Sequence, residues 1–134
     1  MNEPVEIIKG LWTIDIELPA NPLRNLNTYV VKAPEGGRNL IIDTGFYRPE
    51  CLDALMHGIK VLDLKPENTD VFLTHLHPDH VGNAGYLATL GYKMIMGALD
   101  YDLMLFGPDA RWQACMELLQ SEGLPKDMFE KIRQ

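Results

Sequence analysis

Histidine is scarce in this chain and unevenly placed: of the four, three fall within residues 75–80, and none follows His80. Cysteine is scarcer, with Cys51 and Cys115 alone, so a disulfide framework is not the expected source of stability and both thiols are expected to be reduced. No apolar run approaches the ~20 residues that span a bilayer, and Met1-Asn2-Glu3-Pro4 lacks the basic and apolar regions of a signal peptide. Positive charge is also short, with 12 Lys and Arg against 19 Asp and Glu and a net charge of −7. That balance argues against nucleic acid and anionic membrane as partners and favours solubility. There is no low-complexity tract. At 134 residues and 46% hydrophobic the chain can bury one core, and the expected location is the cytoplasm.

What is present is concentrated at Thr74-His75-Leu76-His77-Pro78-Asp79-His80-Val81-Gly82. The preceding Asp70-Val71-Phe72-Leu73 has the β-branched and aromatic content of a buried strand, which puts this polar cluster where a strand ends. If the segment stays extended, His75 and His77 share a face and aim at one point, with Asp79 and His80 following in a loop that curls back. Adjacent imidazoles and a carboxylate beside an apolar strand are costly to desolvate unless a cation organises them. Imidazole nitrogen and carboxylate oxygen suit zinc first, with iron or manganese as alternatives.

The stretch resembles the signature of the metallo-β-lactamase superfamily, H-x-H-x-D-H directly after a strand. Two upstream segments resemble the same family: Leu40-Ile41-Ile42-Asp43-Thr44-Gly45 as a strand ending in aspartate and a tight turn, and Asn27-Thr28-Tyr29-Val30-Val31 as the strand before it. The resemblance implies that His75 and His77 serve a first metal and Asp79 and His80 a second. It also implies that Asp43, with Thr74 beside the ligands, supports the site without ligating. It implies an α/β (α+β) fold, the first half of a four-layer αββα sandwich: a mixed sheet with helices on its outer face, followed by a C-terminal helical segment. The family completes its metals with further histidines and a bridging aspartate well downstream. No histidine of this chain can play those parts, so the site is expected to be incomplete and the chain by itself inactive.

Along the chain, strands are expected near residues 5–9, 11–18, 27–33 and 38–43. Pro19-Ala20-Asn21-Pro22 marks a longer loop, and Pro34-Glu35-Gly36-Gly37 a hairpin. Residues Leu18 to Asn25 read either as a substrate-bordering loop or as a plain surface connection. Leu52, Leu55, Met56 and Ile59 form one face of a helix over residues 50–59 that starts at Arg48-Pro49 and weakens at Gly58, with His57 at its surface. A second helix is expected over Asn83–Leu90 and a strand over Tyr92–Met96, with Gly82 letting the helix begin close to the motif. Residues 1–97 thus read as the family-like part and 98–134 as a helical insertion or cap. The latter has helical patterns at Leu99–Phe106, Asp109–Gln120 and Pro125–Ile132. Trp112, Cys115, Met116 and Leu119 share one apolar face there, as do Leu124, Met128 and Ile132, and Cys115 is expected to be buried rather than to ligate.

An intact site of this type implies hydrolysis by metal-activated water, with Asp79 holding the nucleophile or passing its proton on. The early motifs look most like glyoxalase II-like and lactonase-like members, which implies a small acyl substrate: an ester, a thioester or a lactone. The alternative is a non-catalytic, self-associating half-domain with a partial or empty metal site. Half of a two-sheet sandwich leaves an apolar sheet face open, so a homodimer through that face is expected.

Overall fold

The computed structural model describes residues 2–18, 22–105, 107–123 and 125. Expectations for Pro19-Ala20-Asn21, for the face shared by Leu124, Met128 and Ile132, for the third helical pattern and for the Trp112 side chain lie outside what is described.

Two compact units divide the chain, Met1–Gly97 and Ala98–Gln134. The first holds a six-stranded mixed sheet in sequential order: β1 (Val5–Ile8), β2 (Leu11–Glu17), β3 (Asn25–Val31), β4 (Asn39–Ile42), β5 (Thr69–Leu73) and β6 (Lys93–Met96). The first four strands are antiparallel neighbours, joined at β3–β4 by the predicted hairpin around Gly36 at φ 81°. From β4 onward the pairing is parallel. Parallel neighbours need a crossover. Helix α1 (Pro49–Val61) carries the chain from β4 to β5, and α2 (Pro78–Val81) with α3 (Ala84–Thr89) carry it from β5 to β6.

Strand alternation decides what is buried. Ile14, Ile16, Thr28, Val30, Asn39, Ile41, Thr69, Val71 and Leu73 point to one side and are buried, and Cys51, Leu55 and Ile59 of α1 and Ala84 and Leu87 of α3 join them in the core. Helix α1 packs over β2, and its Gly58 is the point of closest approach. A Cβ at Gly58 would sit 2.5 Å from Ile14 Cδ1. The helix runs through Gly58 to Val61 rather than weakening there, because packing against the strand outweighs the low helix propensity of glycine.

The opposite face of the sheet is built from the alternate residues. Register aligns Thr13, Tyr29, Ile42, Phe72 and Ile95 in one row across β2 to β6, and Leu11, Val31, Leu40, Asp70 and Lys93 in the next. Tyr29, Val31 and Ile95 are 39%, 41% and 37% exposed, so this side carries apolar side chains open to solvent. Arg38 caps its edge, pairing with both carboxylate oxygens of Asp70 at 2.6 and 3.0 Å and donating to Glu67 O at 2.6 Å. That pairing holds the Asp70 carboxyl below its usual range.

The second unit contributes α4 (Ala98–Leu105) and α5 (Gly107–Ser121). Met116 is buried, but Cys115 is exposed, contrary to the expected apolar face. Adjacent helix positions lie about 100° apart, so Met116 can turn inward while Cys115 faces out.

Candidate metal centre

The parallel pair β4–β5 places both chemistry-bearing loops at one edge, the carboxyl ends of the strands, where open α/β sheets hold their ligands. Asp43 leaves β4 with its N–H still donating to Phe72 O (2.9 Å). It then adopts φ 63°, a left-handed conformation that aspartate tolerates better than most residues. Thr28 Oγ1 donates to Asp43 O (3.1 Å), tying this turn to β3.

The motif does not stay extended. Strand β5 ends at Leu73, residues 75 and 76 bend, and Pro78–Val81 form a single helical turn, so Asp79 and His80 sit on α2 instead of in a loop. Proline at the first helical position favours that turn, since its missing N–H would have had no intrahelical partner. The turn folds His80 back over the others. The His75 ring centroid lies 4.0 Å from that of His80 and 4.6 Å from that of His77.

The donor atoms gather as two pairs. His75 Nε2 faces His77 Nδ1 at 2.9 Å, and His80 Nε2 faces Asp79 Oδ2 at 3.4 Å. Two ligand atoms bound tetrahedrally to zinc at 2.0–2.1 Å lie about 3.3 Å apart, so both separations come within a few tenths of an ångström of what a shared cation requires. Among the described residues, no group of three or more His, Cys, Asp or Glu side chains converges in a way that could hold a metal ion. Each pair brings two donor atoms together, fewer than the three protein ligands of a catalytic zinc site.

Asp43 sits behind these pairs. It accepts from His80 Nδ1 (2.8 Å), from the Thr74 N–H (2.8 Å) and from the Thr74 hydroxyl (2.8 and 3.0 Å). Thus Thr74 and Asp43 are both brought to the cluster. His57 lies elsewhere on α1, half-buried, with Nε2 3.0 Å from Glu3 Oε1. Cys51 is buried at the start of α1, where loss of water pushes its thiol pKa up.

A clamp that sequence reading missed holds the two loops together. Thr44 N and Oγ1 both donate to His80 O, at 2.8 and 2.9 Å. Asn83 is fully buried: its Nδ2 donates to Thr44 O (2.8 Å) and Phe46 O (2.9 Å), and its backbone N–H to Thr44 Oγ1 (3.1 Å). An asparagine just before a helix reads as an N-cap, but this one makes no capping bond and serves the neighbouring loop instead. Gly82 allows the contact, since a Cβ there would lie 2.3 Å from Tyr47 N and 2.5 Å from Gly45 O.

With this geometry in place, comparison with known proteins gives a consistent answer. A family profile described as the metallo-beta-lactamase superfamily matches residues 22–117. No match was found among curated proteins. Among solved structures, a metallo-beta-lactamase family protein from Thermus thermophilus is similar at 26% identity and a TM-score of 0.65, covering 96% of this chain and 43% of its own. A motif mutant of the metallo-beta-lactamase from Cronobacter sakazakii is similar at 21% identity and a TM-score of 0.61, over 78% of this chain and 38% of its own. A subclass B3 metallo-beta-lactamase from a soil metagenome library gives 21% identity and a TM-score of 0.59, over 76% and 35%. This chain spans less than half the length of each of these structures. The profile match, the mixed six-stranded sheet and the motif at the end of β5 together place the chain in the metallo-β-lactamase superfamily.

Proposed function

We propose that this chain is the ligand-bearing part of a cytoplasmic, zinc-type metallo-hydrolase acting on an acyl ester, thioester or lactone. The observation that carries the reading is the facing of His75 Nε2 with His77 Nδ1 and of His80 Nε2 with Asp79 Oδ2. His75 and His77 would hold one ion, and Asp79 and His80 the other. When bound, zinc supplies Lewis acidity toward a carbonyl oxygen and lowers the pKa of water toward neutrality. The chain's own contribution is orientation and proton handling. Asp43 lies against His80 Nδ1, and the Asp79 carboxylate would accept the proton of the attacking water and return it to the leaving group. The acyl preference rests on the likeness of the early motifs to glyoxalase II-like and lactonase-like members.

The test is a zinc-supplemented screen with ester, thioester and lactone substrates, on this chain and on any longer protein that contains it. Turnover is expected only where further ligands complete the two pairs, and Asp79→Asn should lower it about 100-fold or more while the fold is kept. Absence of turnover in both, or turnover indifferent to Asp79→Asn, would contradict the proposal.

A second reading is favoured by the open row Thr13, Tyr29, Ile42, Phe72 and Ile95. A two-fold axis along β4 would set Ile42 against its counterpart and Tyr29 against Phe72 of the other copy, giving a homodimer. Light scattering should then report a dimer that Ile42→Lys converts to monomer. A monodisperse monomer for the unaltered chain would dismiss this reading.

A further inference from the structure

We infer that Asn83 is a positioning residue that fixes where His80 stands against Asp43 with no help from a cation; the zinc-affinity part of this inference rests on the function proposed above. Helix α2 ends at Val81, so the His80 carbonyl is one of the last in the helix and has no partner within it. Thr44 takes that place, its N–H donating to His80 O at 2.8 Å and its hydroxyl at 2.9 Å. With its proton so used, the hydroxyl accepts the Asn83 N–H (3.1 Å), and Asn83 Nδ2 closes the set by donating to Thr44 O (2.8 Å) and Phe46 O (2.9 Å). Asp43 directly precedes Thr44, so both sides of the 2.8 Å contact between His80 Nδ1 and Asp43 Oδ2 hang from a backbone held by neutral groups.

Two features set Asn83 apart from a residue placed for local stability. Its side chain makes no capping bond to α3, although asparagine is among the preferred N-caps. Its amide is also fixed in orientation, because the two carbonyls it meets only accept and therefore require Nδ2. That orientation leaves Oδ1 buried and, among the described residues, without a hydrogen-bond partner, which destabilises a fold. The amide that forgoes both contributions is the one that joins the loop of Asp43 to the helical turn of His80. A local rule broken where two site-bearing loops meet marks a side chain kept for the geometry of the site.

Three variants test this. Asn83→Ala removes the amide, and Thr44→Val removes the hydroxyl but keeps the Thr44 N–H on His80 O. Tyr92→Phe is the control, since it also deletes a buried hydrogen bond, from the Tyr92 hydroxyl to Leu64 O, but beside the amino ends of β5 and β6. In the metal-free chain, proton NMR should show the His80 ring in contact with Asp43 and with the His75 ring, whose centroid lies 4.0 Å away. These contacts should weaken in Asn83→Ala, weaken less in Thr44→Val, and be retained in Thr44→Ser and Tyr92→Phe. Zinc affinity, measured by equilibrium dialysis where every variant is folded, should fall about 10-fold in Asn83→Ala and stay unchanged in Tyr92→Phe. Unchanged ring contacts in Asn83→Ala, or an equal loss of them in Tyr92→Phe, would overturn the assignment; should Asn83→Ala fail to fold, unchanged contacts in Thr44→Val would do the same. If the unaltered chain takes up no zinc, the metal reading falls and the ring contacts alone decide the role of Asn83.

Discussion

The two sides of the sheet are made by the same strands and differ in what lies against them. On one side Ile41 is fully buried beneath the helices, and on the other its neighbour Ile42 is only half-buried in an open apolar row. One residue of chain separates a side whose packing is closed from a side that could still take a partner. The cluster of imidazoles and carboxylates sits at neither face but at the strand ends, where Asp43 follows Ile42 directly.

Substitutions at this pair probe the contrast most strongly. Ile41→Ala should destabilise the chain by about 2–5 kcal/mol, as for other fully buried aliphatic truncations, whereas Ile42→Ala should give a clearly smaller loss in denaturant unfolding. Equal losses would mean that the open side is packed in solution. Next in size, Gly82→Ala forces a side chain into the backbone of the 43–48 loop and should be destabilising by about 1–3 kcal/mol. Gly85→Ala, where an added Cβ meets nothing within 4 Å, should be neutral or slightly stabilising.

A loss of similar size is expected beside β6. Tyr92 is buried and its hydroxyl donates to Leu64 O at 2.6 Å, so Tyr92→Phe should cost about 1–3 kcal/mol by leaving that carbonyl unpaired. Burial pushes the Tyr92 pKa above its ordinary value of 10. A raised folded-state pKa means that its contribution is complete below pH 10 and is lost as pH rises toward the folded value. Thermal melts from pH 8 to 11 should show that alkaline loss in the unaltered chain and less of it in Tyr92→Phe. The smallest effect concerns reactivity alone: a thiol reagent should modify the exposed Cys115 quickly and spare Cys51, which is buried with a raised pKa. Equal rates would show that the start of α1 opens readily.

Much of this arrangement was legible in the residues. Alternation marked the strands, the 3.6-residue spacing of Leu52, Leu55, Met56 and Ile59 marked α1, and the dense imidazoles after Leu73 are brought together at the end of β5. The missing parts were those where one side chain could serve two purposes. Asn83 has the type and place of an N-cap, and only the approach of the 43–48 loop diverts its amide to Thr44 O and Phe46 O. Pro78 could open a loop or a helix, and the turn it opened carries His80 to Asp43. Cys115 shares a helical face with Met116 by spacing yet is exposed where Met116 is buried, so spacing alone did not show which side of that face is covered.

The central claim is that His75, His77, Asp79 and His80 are arranged to hold a cation. Equilibrium dialysis against zinc, on the unaltered chain and on His77→Ala and His80→Ala, tests it most directly. Binding by the unaltered chain that each substitution weakens at least tenfold is the predicted result, and zinc uptake unchanged by either substitution would contradict it.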